Sequence, residues 1–294
     1  MKISHSRNKL FHRQIFALVT LSLVSVNSWF VVNLFMWDKW TFHTDEKFES
    51  STMIISLSTG VPQYFLLYSQ ARELAKFLLE RTETRKLATY YSSTMEEFVQ
   101  VGDDNLAMLP AYEVHELKLQ GNLRDGRVLL FSGYASPRNE VYEFCERILT
   151  TAKERWGVKR IISIGARWSE EPTQPVVDSV KVYGFGGTKE DVALLRELQI
   201  PEHPAEVAPY FANVIVGLAP LYGIKSIKLS VDHGEVRPHP KQVKALLMTL
   251  SKILGFELNL KELDEEAEKL KAEINLLTRS LNKGNKLYDD SSLV

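Results

Sequence analysis

The rhythm of hydrophobic and polar positions along this chain changes after Ser51. From there, short apolar runs alternate with stretches whose apolar residues recur every three or four positions, the pattern of a parallel sheet with crossover helices. Five runs predict strands: Met53 to Leu57, Val128 to Phe131, Arg160 to Ile164, Val180 to Tyr183, and Ile224 to Val231. The first four are nearly continuous in hydrophobicity, which predicts burial on both faces. The fifth alternates and sets Lys225 and Lys228 on an exposed face. Leu66, Leu67, Ala71, Leu74, Ala75 and Leu78 form one helical stripe. Val141, Phe144, Cys145, Ile148, Leu149 and Ala152 form a second, closed by Gly157 as a left-handed cap. Val243, Leu246, Leu247, Leu250 and Leu254 form a third, opened by Pro238 or Pro240 and stopped at Gly255. Between Ala88 and Leu119 a smaller β feature (Ala88 to Tyr91, Glu113 to Leu119) interrupts the winding, and the polar turn 122–126 leads into the Val128 strand, so the sheet is mixed. The expected fold is α/β, a mostly parallel wound sheet with helices on both faces.

Past the body, Asn259 and Glu262 form a start resembling a capping box. Phe256, Leu260, Leu263, Ala267, Leu270, Ile274, Leu277 and Leu281 then alternate in steps of four and three. Leu263, Ala267, Leu270, Ile274 and Leu277 make a seam for a second copy of the chain; a helix packed on its own domain explains them equally, because only about three heptads are available. The expected division is an amino-terminal segment and linker (1–50), an α/β body (51–256), an amphipathic extension (257–282) and a tail (283–294).

The amino-terminal segment carries no charge from Gln14 to Trp37, enough to cross a bilayer, which takes about 20 residues. Lys2, Arg7, Lys9 and Arg13 precede it and Trp29, Trp37 and Trp40 cluster near its far end, as in a signal anchor. Val26-Asn27-Ser28 offers a cleavage site weaker than Ala-x-Ala. A third reading starts translation at Met36 or Met53, with Asp38 to Thr52 as linker. On that reading the protein is cytoplasmic; a retained segment 14–37 would anchor it in a membrane.

Composition narrows the function classes. With 45% hydrophobic and 25% charged residues the chain is an ordinary globular sequence, not a disordered one. Thirty-six basic against 37 acidic residues leave a net charge of −1, so no basic field points to nucleic acid. The one cysteine, Cys145, excludes an internal disulfide and a thiolate zinc site. No metal or cofactor is expected.

Candidate chemistry gathers at the carboxyl ends of the expected strands, where wound sheets bind ligands. Gly60, Gly133, Gly165 and Gly184 end four of them, although glycines serve equally in strand-to-helix turns. Ser136, Arg138, Asn139 and Glu140 follow one strand, and Arg167, Ser169, Glu170 and Glu171 another. Together Gly60, Gly133, Ser136, Arg138, Glu140, Gly165, Arg167 and Gly184 outline a pocket for a polar or anionic ligand, unless these loops are simply solvated. Gly184-Phe185-Gly186-Gly187-Thr188-Lys189 lacks the spacing of a phosphate loop, and no dinucleotide fingerprint is present. Asp232 and His233 could form an acid/base pair, but no nucleophile elbow accompanies them; His239 fits a buried or helix-capping role.

The segments 131–140 (Phe-Ser-Gly-Tyr-Ala-Ser-Pro-Arg-Asn-Glu), 157–165 (Gly-Val-Lys-Arg-Ile-Ile-Ser-Ile-Gly) and Val182-Tyr183-Gly184 carry a resemblance. It continues through 216–224 (Val-Gly-Leu-Ala-Pro-Leu-Tyr-Gly-Ile), the His239-Pro240 helix start and the helix from Leu263 to Leu277. Over about residues 50 to 280 the chain resembles the proteasome assembly chaperones of the second-subunit type, in their archaeal branch. The resemblance implies a phosphorylase/hydrolase-like α/β fold with a carboxyl-terminal helical extension, assembled into homo-oligomers. Some members dock on the proteasome α-ring through a terminal hydrophobic-Tyr-any tripeptide. This chain ends Ser292-Leu293-Val294, and its nearest match, Leu287-Tyr288-Asp289, lies five residues earlier, without the free carboxylate such docking needs. Ligase-like labels within the family find no site here. The expectation is a non-catalytic, oligomeric assembly chaperone or adaptor with itself and proteasome subunits as partners; the alternative is a small-molecule-binding protein or enzyme using the glycine-lined strand ends.

Overall fold

The computed structural model describes residues 37–57, 69–95, 99–121, 123–124, 126–133, 136–137, 139–167, 180–204, 208, 210–232 and 239–289. In chain order the elements are β1 (Asp38–Phe42), β2 (Ser51–Leu57), α1 (Gln70–Arg81), β3 (Glu83–Ser92), β4 (Gln100–Val101), β5 (Ala107–Met108) and β6 (Tyr112–Lys118). There follow β7 (Gln120–Gly121), β8 (Arg127–Gly133), α2 (Val141–Trp156), β9 (Val158–Arg167), β10 (Tyr183–Gly186), α3 (Lys189–Glu197) and α4 (Phe211–Leu218). The last are β11 (Lys225–Asp232), α5 (Pro240–Leu254), β12 (Phe256–Glu257) and α6 (Lys261–Asp289).

Among the described residues the main sheet has eight strands in the order β1, β3, β6, β8, β2, β9, β11, β10. Its centre, β8-β2-β9-β11, is parallel, and the strands on both flanks are antiparallel. The fold is α/β around a mixed sheet. Alternate residues of each central strand serve different helices. Met53, Ile55, Leu129, Phe131 and Ile161 meet Phe144, Cys145 and Ile148 of α2 and Phe211 and Ile215 of α4. Ile54, Leu130, Ile162, Ile227 and Leu229 meet Leu74 and Leu78 of α1 and Val243, Leu246 and Leu250 of α5. Burial on both sides explains why these strands read as continuous apolar runs.

The helix ends follow local chemistry. Ser69 Oγ accepts from the Arg72 N–H to cap α1. Gly157 (φ 54°) and Gly255 (φ 80°) close α2 and α5 in the left-handed region, where a side chain would be strained. His239 is the cap of α5: its Nδ1 accepts from the Lys241 N–H, Gln242 returns a bond to the His239 N–H, and Pro240 fills the first helical position.

Several expectations need correction. The stretch expected as linker contains β1, paired with β3, because Trp40 alternates with polar neighbours and stacks on Tyr90 with ring centroids 4.4 Å apart. Phe48 is buried beneath the Arg127 guanidinium, and Ser51 Oγ donates to the Trp156 carbonyl, so a chain begun at Met53 would lack an edge strand and part of its core. The strand expected at Val180 to Tyr183 is Tyr183–Gly186, since its glycines let backbone and helix approach: a Cβ on Gly186 would stand 2.7 Å from Asp191 Cβ. Lys228, expected on an exposed face, is 1% exposed because α4 covers that side of β11. Helix α6 runs to Asp289, beyond Asn282 where a tail was expected; Gly284 costs it only about 1 kcal/mol. Among the described residues no helix is long and apolar enough to cross a membrane. The segment 14–37 lies outside the described residues but for Trp37.

Candidate functional site

Two serines fix α4 on the sheet. Ser226 Oγ, near the start of β11, donates to the Val216 carbonyl at 2.7 Å, and Ser163 Oγ, midway along β9, donates to the Ala212 carbonyl at 2.6 Å. Helix α4 therefore runs against the direction of these strands, and its first turn lies toward their carboxyl ends. Tyr210, at the cap position, makes no side-chain bond to that turn.

Beneath it lies Lys228. A Cβ placed on Gly165 would be 2.5 Å from Lys228 Nζ and 3.9 Å from Ala212 Cβ, so the absent side chain of Gly165 is what leaves room for the amine. Among the described residues the Nζ has no hydrogen-bond partner, and burial lowers its pKa to about 7, because a charged ammonium there gives up its water without gaining a counter-ion. Ser230, two residues on and on the same face, is fully buried with its Oγ likewise unpartnered. At the rim, Arg167 and Asp232 are register partners on β9 and β11 and pair at 2.5 Å, with the guanidinium 4.3 Å over the Tyr183 ring.

The structure joins only part of the expected pocket. Gly165 and Arg167 belong to the cluster just described. Gly184 pairs with Leu229 and its open side faces Leu195, across the sheet from Lys228 Nζ. Gly133 makes room for Tyr112, whose Cδ1 lies 2.5 Å from where a Cβ would stand. Glu140 is left-handed (φ 51°) at the start of α2, where its carbonyl accepts from the Phe144 N–H, and Ser136 precedes it on that connection. Gly60, Arg138 and His233, with 169–171, lie outside the described residues. Lys228 and Ser230 were missed because β11 alternates, and alternation beside a helix of unknown placement does not say which face is covered.

Other titratable groups have structural tasks. Buried Asp191 accepts from Thr188 Oγ1 at 2.5 Å and from the Ser226 N–H at 2.9 Å, and pairs with Arg160 at 3.4 Å, tying α3 to the sheet. Burial pushes the Cys145 thiol up and leaves it unreactive. Among the described residues no cluster of three His, Cys, Asp or Glu side chains could hold a metal ion.

The expected seam divides in two. Leu263, Ala267 and Leu270 are buried within the chain itself, and α6 is tied down by Lys244–Asp264 and Arg81–Glu262 pairs, each at 2.5 Å. A cleft of about 410 Å³ runs between α1, α5 and α6, floored by Phe77, Val243, Leu263 and Leu270. Ile274 is half-buried, and Leu276 and Leu277 are exposed, 66% and 64%.

The PAC2 family model matches residues 71–278. No curated protein matches the sequence. Among solved structures, PbaB of Pyrococcus furiosus, an archaeal proteasome activator, superposes with a TM-score of 0.68 at 18% identity, over 82% of this chain and 98% of that one. PbaA of the same organism, an archaeal homologue of proteasome-assembly chaperone, gives 0.62 at 17% identity, over 87% and 99%. The Mycobacterium tuberculosis proteasome-assembly chaperone homologue Rv2125 gives 0.59 at 18% identity, over 76% and 94%. At such identities the likeness is one of fold.

Proposed function

This chain belongs to the PAC2 family, and from that premise we propose that it is a non-catalytic assembly chaperone or adaptor that recognises its clients by surface complementarity. The observation that carries the reading is the match of family model and fold through both the α/β body and the α6 extension, a span shared with proteins named as a proteasome activator and an assembly-chaperone homologue. Proteasome subunits are the proposed clients and a second copy of the chain the proposed partner, in the cytoplasm. The outer part of α6 supports self-association: Leu276 and Leu277 are exposed apolar residues.

Affinity capture of the tagged full chain from its own cells, with cross-linking and mass spectrometry, tests the client. Proteasome α-ring subunits should be recovered above a tag-only control, and their absence would remove the proposal. Sedimentation tests the partner: the wild type should sediment as a multiple of its protomer mass and Leu277→Asp as a folded monomer. Leu270→Asp instead puts a charge into the chain's own core and should lose several kcal/mol of stability. A monomeric wild type at micromolar concentration would discard self-association.

A further inference from the structure

We propose that Lys228 and Ser230, under the first turn of α4, form a binding site for the anionic group of a small carboxylate- or phosphate-bearing ligand. The inference is independent of the chaperone reading. It starts from two buried polar atoms, Lys228 Nζ and Ser230 Oγ, that have no partner among the described residues. Buried polar groups are nearly always satisfied, and each exception calls for a reason. Packing supplies none: Ser163 and Ser226, on the same face, give their hydroxyl hydrogens to α4 carbonyls, whereas Lys228 and Ser230, nearer the carboxyl ends, do not.

The surroundings select the sign of the ligand. From β9 the face presents Ser163, Gly165 and Arg167; from β11, Ser226, Ser230 and Asp232; from β10, Tyr183 and Phe185. Helix α4 carries no ionisable residue. The one carboxylate among these, Asp232, is taken by Arg167. Among the described residues, an amine and the positive end of a helix thus face one another with no uncompensated negative charge beside them. An anion there accepts from Nζ, from Ser230 Oγ and from the N–H groups of Phe211 and Ala212 at the start of α4, those of Asn213 and Val214 being given to the Tyr210 carbonyl; the donor set suits carboxylate and phosphate oxygens alike. The position, at the carboxyl ends of parallel strands, is where wound sheets hold ligands.

Occupancy changes the protonation of the amine. Without an anion, burial keeps it largely neutral at pH 8; with one, the ammonium is favoured, so binding takes up a proton. Calorimetric titration of the full chain at pH 8 with inorganic phosphate, and separately with acetate, at constant ionic strength and in two buffers of different protonation enthalpy, tests this. At least one anion should bind with uptake approaching one proton per site; which one does so identifies the class. Lys228→Met, which keeps length without charge and should fold, is expected to weaken binding at least tenfold and abolish the proton uptake, and Ser230→Ala to weaken it severalfold. Binding that is equal in wild type and Lys228→Met, or no binding of either anion to the wild type, would overturn the proposal.

Discussion

One face of one sheet is built in two ways. Under α2, on β3, β6 and β8, it is aromatic: Tyr112 packs against Phe144 at 5.0 Å between ring centroids, against Phe131 at 5.4 Å and against Tyr90 at 5.9 Å. Under α4, on β9 and β11, the equivalent depth is filled by Ser163, Ser226, Lys228, Ser230 and the bare backbone of Gly165. Phe211, against Phe144 at 5.3 Å, joins the two halves. The aromatic half stabilises the fold, since a buried ring contributes area and an oriented contact together. The polar half weakens it, because each unsatisfied buried group costs about 1–3 kcal/mol. Packing alone does not account for the amine left unpaired there.

That contrast can be broken at its strongest point by Phe144→Ala. Removing a fully buried ring in contact with Tyr90, Tyr112, Phe131 and Phe211 should cost about 3–5 kcal/mol in urea unfolding. A loss under about 1 kcal/mol would show that the aromatic half is not the stabilising one.

Lys228→Met should act in the opposite direction. Burial lowers the Lys228 pKa from 10.5 to about 7, so between those values the unfolded chain binds a proton that the folded chain does not, and native stability rises with pH across the window. Methionine removes this penalty. At pH 7.5 the variant should be more stable by on the order of a few kcal/mol, with the advantage shrinking as pH approaches 9.5. The difference between the two proteins is the quantity to follow, because burial raises the Tyr90, Tyr112 and Cys145 pKa values in both and lowers the stability of both at alkaline pH. A variant that is less stable at pH 7.5 would contradict the comparison.

The finest test separates satisfied from unsatisfied hydroxyls. Ser163→Ala and Ser226→Ala each remove a bond to α4 and should lose about 1 kcal/mol, while Ser230→Ala removes only an unpaired oxygen and should be neutral or slightly stabilising. Three equal losses would erase the distinction.

How legible this was in the sequence depended on how many neighbours each element needs. Strands buried on both faces, such as Met53–Leu57, announce themselves in their own residues, and so do the caps at Gly157 and Gly255. Strand β1 has five residues and Trp40 as its main apolar anchor, and its identity comes from Tyr90 fifty residues away. The strand Tyr183–Gly186 was expected three residues earlier, at Val180 to Tyr183, because its glycines serve contacts made by α3 and β11 and add no apolar signal of their own. At the site, Gly165 and Arg167 were picked out from strand-end positions alone. Lys228 was not, since its burial is a property of α4, whose placement is set by Ser163 and Ser226 and not by any pattern around the lysine.

The lone cysteine gives this molecule a built-in clock. Cys145 sits in the second turn of α2, with no exposed surface and a thiol held protonated by its surroundings. An alkylating reagent can reach it only when α2 lifts from the sheet, so the rate of its disappearance reads how often that element opens rather than how reactive sulfur is. At low reagent the reading is an opening equilibrium, and at high reagent an opening rate. Because the thiol lies on the aromatic half and the amine on the polar half, that clock slows on loading the Lys228 site only when the two halves come apart together.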